Sequence, residues 1–86
     1  MNTEWIVEDV RSSHVVYREG DHVAWIPGEI LSGGFQKPDF ALYPKSFTKW
    51  KPPHGDEPID QARKEKIIDR VCEGLKSKGL KVEVDW

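Results

Sequence analysis

Between Asp60 and Gly79 the sequence DQARKEKIIDRVCEGLKSKG places apolar residues at positions 62, 67, 68, 71, 72 and 75. Intervals of three and four collect them on one stripe of a helix, with charged side chains over the remaining surface. Asp60 suits the N-cap and Gly79 the residue just past the last turn, so the spacing predicts a helix from about Gln61 to Lys78. No other stretch of the 86 residues carries this period. A lone amphipathic helix needs a second layer to cover its stripe, and here the rest of the chain must supply it as a sheet.

The strand signals agree. Trp5 to Val10 is a short β-type run, and HVVYRE and HVAWI flank Gly20-Asp21, a pair suited to a two-residue hairpin turn. That turn sets Glu19 opposite His22, Tyr17 opposite Ala24, Val16 opposite Trp25 and Val15 opposite Ile26. Val15, Tyr17, Ala24 and Ile26 then share one face and Val16, Val23 and Trp25 the other, and one helix cannot cover both. Pro27 makes its strand an edge or a bulge at that point, with Gly28-Glu29-Ile30-Leu31 continuing beyond it. Ser32-Gly33-Gly34 reads as a loop and Phe40 to Tyr43 as a further strand that Pro44 ends. Phe47 and Trp50, three apart after Ser46, suggest a single helical turn that sets two aromatics on the core, and Pro52-Pro53 forbids more helix. Trp50 is expected to be a buried plug. Leu80, Val82, Val84 and Trp86 alternate with charged residues, which predicts a closing strand with one buried face. The expected fold is α+β: residues 1–86 as one domain, one long helix on a small, largely antiparallel sheet of four or five strands in the order β-β-β-β-α-β. If the strand before Pro44 and the last strand are neighbours, they should run parallel.

The residues that could carry chemistry are sparse. Cys72 is the single cysteine and lies in the helical stripe, so it is expected to be a packing residue; an unpaired thiol suits a cytoplasmic protein. The N-terminal run lacks the apolar stretch of a signal peptide, and nowhere do 18 apolar residues follow one another, so neither export nor a membrane is expected. His14 and His22 fall on opposite faces of the hairpin, and the three histidines, His54 included, are expected to be separate surface groups, with no metal or cofactor implied. No phosphate loop, nucleophile elbow or redox pair is present, and no catalytic residue is assigned.

Charge is distributed unevenly. Residues 1–36 hold six acids against Arg11 and Arg18, whereas residues 37–51 hold four lysines against Asp39. In the second stretch Lys37, Lys45, Lys49 and Lys51 interleave with Phe40, Tyr43, Phe47 and Trp50, the pattern of a groove that holds single-stranded nucleic acid. The same rings are needed to fill a small core, and an acidic chain is a poor polyanion binder, so nucleic-acid binding stands as the alternative function.

Taken together, YREGDHVAWIPGEIL, the run ALYPKSFTKWKPPHGDEPID, the charged helix and the closing GLKVEVDW resemble a family of small bacterial immunity proteins from polymorphic-toxin systems. The resemblance spans Tyr17 to Trp86 and is most specific at Pro27 to Leu31 and from Trp50 to Ile59. It implies one helix on a small sheet, and a protein that binds and neutralises a cognate toxin inside the producing cell without catalysis. If that toxin is a nuclease, its basic cleft would associate quickly with an acidic surface. The expected contact groups are Glu19, Asp21 and Glu29 with Trp25 as aromatic anchor, followed by Asp56 and Glu57 in the loop before the helix.

Overall fold

A computed structural model describes residues 4–31 and 38–86 of the chain. Five strands form one sheet in sequential order: β1 (Trp5–Val10), β2 (His14–Glu19), β3 (His22–Ile30), β4 (Phe40–Leu42) and β5 (Val82–Val84). Helix α1 (Gln61–Ser77) connects β4 to β5, which pair in parallel, while the other three pairings are antiparallel. The expected architecture and the parallel closure are therefore both present. Ser32-Gly33-Gly34 and Lys37 lie outside the described residues.

The hairpin register is the expected one, from His14 opposite Pro27 to Glu19 opposite His22, and Gly20 takes a φ of 61° in the turn. β3 is not broken at Pro27. It runs straight through for nine residues and changes partner there: its first half pairs with β2 and its last three residues with β4. Toward β4, Pro27 offers its carbonyl to the Tyr43 N–H at 2.8 Å, so a residue without a donor fits this handover. Next to it, a Cβ on Gly28 would stand 2.4 Å from Phe40 Cε1 and 2.5 Å from the Ala41 carbonyl oxygen. Glycine is what lets β3 and β4 close over the Phe40 ring.

α1 has the predicted ends. Asp60 accepts the Arg63 N–H at 2.8 Å, and Gly79, at φ 84°, donates to Lys76 while Leu80 donates to Leu75, the paired bonds of a Schellman cap. The stripe Ile67, Ile68, Val71 and Leu75 packs into one cluster with Val7, Val15, Tyr17, Ala24, Ile26, Phe40 and Leu42. By strand alternation all of these strand residues face the same side of the sheet. At the outer edge, a bulge between Val7 and Asp9 leaves Glu8 out of register, and β5 is only three residues long; both features discourage edge-to-edge pairing.

Two expectations need correction. The helical turn comes earlier than expected, as a 3-10 turn at Pro44–Ser46, because Pro44 presets its first φ; Phe47 already has extended backbone. Phe47 and Trp50 nevertheless both reach the core. Trp86 is half exposed, since β5 ends at Val84 and the alternation stops with it.

The segment after the 3-10 turn covers the part of the β3 edge that β4 does not reach. Lys51 N–H donates to the Val23 carbonyl at 2.7 Å, and a bridge between Lys49 and Pro58 ties the segment to itself. Trp50 sits inside, 7% exposed, with its ring 6.5 Å from Tyr17 and edge-on to His22 at 5.0 Å. We predict that Trp50→Ala lowers stability by about 3–5 kcal/mol in denaturant titration, the usual loss for a buried large aromatic. Gly28→Ala should lower it by about 1–3 kcal/mol, because the clash involves backbone as well as a ring. An unchanged midpoint in either variant would contradict the packing described.

Candidate functional site

The side of the sheet opposite α1 has no described element packed on it. Its residues follow from the register: Ile6 with Arg18, Val16 with Trp25, and across the far strands Glu29, Ala41 and Glu83 in one row. Ile6 and Trp25 are among the few large apolar side chains left exposed, Trp25 at 46%. Trp25 is held in place even so. His14 stacks on it at 4.1 Å between ring centroids, and Lys51 Nζ lies 4.0 Å from its ring centroid, a cation–π contact. An open depression of about 280 Å³ adjoins it between Pro27, Thr48, Lys49 and Pro52.

Beyond Pro27 the same face turns acidic. Glu29 accepts the Tyr43 hydroxyl at 2.5 Å, and Tyr43 is held above the ordinary phenol range first by that bond, then by its partial burial and by the charges of Glu29, Asp85 and Glu83. The uncovered face is thus polarised, with Lys49 and Lys51 near Trp25 and three carboxylates toward β5.

The sequence-predicted contact groups separate into three places. Trp25 and Glu29 share the uncovered face. Asp21, Asp56 and Glu57 are exposed at or beside the hairpin tip. Glu19 goes inward: at 5% exposure it accepts from the Tyr17 hydroxyl and from Arg70 Nη1, each at 2.7 Å, and it pairs with Arg63. Arg63 and Arg70 are two helical turns apart on α1, so this carboxylate fastens the hairpin to the helix. The signal was in the alternation, because Glu19 is in phase with Val15 and Tyr17 and therefore on the buried face. We predict that Glu19→Ala lowers stability by about 1.5–3 kcal/mol, the range for lost hydrogen bonds to a charged group, while the equivalent change at exposed Asp56 stays within about 0.5 kcal/mol. Parallel thermal denaturation curves distinguish the two.

The histidines also depart from expectation. His14 and His22 do lie on opposite faces, but His54, which spacing left alone, stacks on His22 at 3.7 Å between centroids. Glu57 and Asp21 flank the pair. His22 is raised above the ordinary imidazole value, chiefly by its bond to Glu57; Glu57 is lowered by His22 and then His54, and Asp21 by His22. Sequence spacing could not reveal this meeting, because 32 positions separate the two imidazoles and only the loop over β3 brings them together.

The rings of the alternative nucleic-acid groove are mostly engaged elsewhere. Phe40, Phe47 and Trp50 are buried and Tyr43 is bonded to Glu29, so the surface lysines lack a row of free faces for stacking bases. Cys72 is half-buried against the core, and burial pushes its thiol up, with Asp69 adding to the effect. No helix among the described residues is long and apolar enough to cross a membrane.

A family model described as Immunity protein 74 matches residues 8–85, nearly the whole chain. The chain belongs to that family. Immunity protein 74 is an immunity-protein family of polymorphic toxin systems, so the chain has a general neutralising role in such a bacterial system. Searches of curated proteins and of solved structures returned no match. The match includes the whole of β2 to β5 and α1, and with them the uncovered face apart from Ile6, and the histidine pair.

Proposed function

We propose that this Immunity protein 74 member acts in the cytoplasm of the producing cell as a non-catalytic inhibitor, binding its cognate toxin directly through the uncovered face of the sheet. The observation that carries this reading is Trp25: a large ring left 46% exposed yet immobilised between His14 and Lys51, beside an open depression. Aromatic side chains already fixed in position lose little entropy on association and commonly dominate interface energetics. Glu29, Glu83 and Asp85 supply the second element, a carboxylate cluster on the same face that favours a toxin surface bearing basic groups, as a nuclease cleft would. Asp56 and Glu57, beside the hairpin tip at the other end of β3, form a separate acidic group. Glu19 has no part in the contact because it is buried against α1.

The test uses the toxin domain encoded beside this gene, or captured with the protein from the native cell. Trp25→Ala should weaken binding by about 2 kcal/mol, roughly 30-fold, with an unchanged melting midpoint. Reversing Glu29 and Glu83 to lysine should act mainly on the association rate and reduce its dependence on salt. Parental affinity and rates in both folded variants would move the contact away from this face and leave the Asp56-Glu57 loop as the surface to probe.

A further inference from the structure

Asp21 and His22 form the corner of the β2–β3 hairpin, and His54 meets them from the segment that carries Trp50. The two imidazoles lie face to face, 15° from parallel, with a carboxylate at each edge. On one edge Glu57 lies 3.0 Å from His22 Nε2 and 2.7 Å from His54 Nδ1. On the other, Asp21 lies 2.9 Å from His22 Nδ1 and 3.5 Å from His54 Nε2.

An ionised carboxylate can only accept, and a neutral imidazole has a single N–H to give. If both rings donate to Glu57, which sets both of its oxygens 3.0 Å from His22 Nε2 and one 2.7 Å from His54 Nδ1, the bare nitrogens are His22 Nδ1 and His54 Nε2. These two lone pairs then face the Asp21 oxygens with no proton between them. Asp21, His22 and His54 thereby offer three ligand atoms within 4.8 Å of one another. Two imidazole nitrogens and one carboxylate oxygen are a donor set for zinc-like ions, and ligating histidines commonly give their other N–H to a carboxylate that fixes ring and tautomer. Glu57 occupies that second position for both rings at once.

We propose that Asp21, His22 and His54 bind a divalent transition-metal cation of the Zn2+ class, with Glu57 as the positioning residue for both imidazoles. Ligand atoms around such an ion stand about 3.3 Å apart, given bonds of about 2.0–2.1 Å, and each imidazole lone pair lies in its ring plane, so on binding the near-parallel rings open out of their stack toward the ion and the Asp21 carboxylate shifts away from His22 to admit it. Asp21, with its side chain 82% exposed, is free to make that adjustment. The ion joins the hairpin tip to the segment bearing Trp50, two parts of the chain brought together only by folding. It therefore binds the native state preferentially and stabilises it. The inference is independent of where the toxin is held.

The experiment takes the full chain, stripped with a chelator and dialysed, and titrates Zn2+ by calorimetry and by melting temperature. We expect one saturable site and a melting temperature that rises with free Zn2+. His54→Gln and Asp21→Asn should each weaken binding by at least about 10-fold, the lower end of what loss of an outer-shell partner does, and Glu57→Gln by about 10–100-fold. His14→Gln, on the opposite face, and Cys72→Ser should bind as the parent does. Absence of saturable binding by the folded parent overturns the proposal, as does parental affinity in His54→Gln or an equal loss in His14→Gln. Should His54→Gln fail to fold, the exposed Asp21→Asn decides the matter in the same way.

Discussion

A sheet has two faces, and this chain has one amphipathic helix to lay on them. α1 brings a single stripe, Ile67, Ile68, Val71 and Leu75, and that stripe selects the face presenting Val7, Val15, Tyr17, Ala24, Ile26, Phe40 and Leu42. Burial of those groups is the main driving force available to a chain of this size, which leaves little reserve for covering a second layer. The segment from Phe47 to Pro58 contributes by inserting Phe47 and Trp50 at the margin of the same core and by closing the open part of the β3 edge. What remains is a sheet face with its own aromatic group and its own charge pattern, available to something outside the chain.

The polar side chains divide according to the same constraint. On the covered side a carboxylate must find donors, and Glu19 finds three from Tyr17, Arg63 and Arg70. The uncovered side permits carboxylates that keep their water, as Glu29, Glu83 and Asp85 do. Between these regimes, at the hairpin tip, Asp21, His22, His54 and Glu57 form a cluster accessible to solvent in which two stacked rings are bracketed by two carboxylates. Three features that look alike as letters in a sequence, acids near a hairpin, thus have three physical settings: a buried tie, an uncovered sheet face and a solvent-accessible cluster with two imidazoles.

Membership in an immunity-protein family supplies the general role, and the fold leaves one polarised face of the sheet uncovered. The fold could deliver this surface only because β3 is long enough to serve two neighbours in succession. Pro27 and Gly28 make the handover possible, one by lacking a donor and the other by lacking a side chain where Phe40 crosses. Trp25 and Glu29 stand on either side of that handover. The exposed ring and the first carboxylate of that face therefore share one continuous strand.

Much of the architecture was legible in the sequence because it depends on local chemistry. Period 3.6 between Asp60 and Gly79, alternation around Gly20-Asp21 and after Leu80, and the caps at both helix ends each follow from residues close in the chain. The hairpin register and the presence of two apolar faces followed in the same way, and with them the prediction that one face would remain bare. Tertiary structure alone decided what each polar group meets. Alternation set Glu19 on the buried face, but its partners Arg63 and Arg70 arrive from a helix more than forty residues away, and His22 found His54 because the segment around Trp50 folds back over the β3 edge. Such pairings leave no periodic trace, since each is fixed by where two distant backbones cross and not by the spacing of residues along either one.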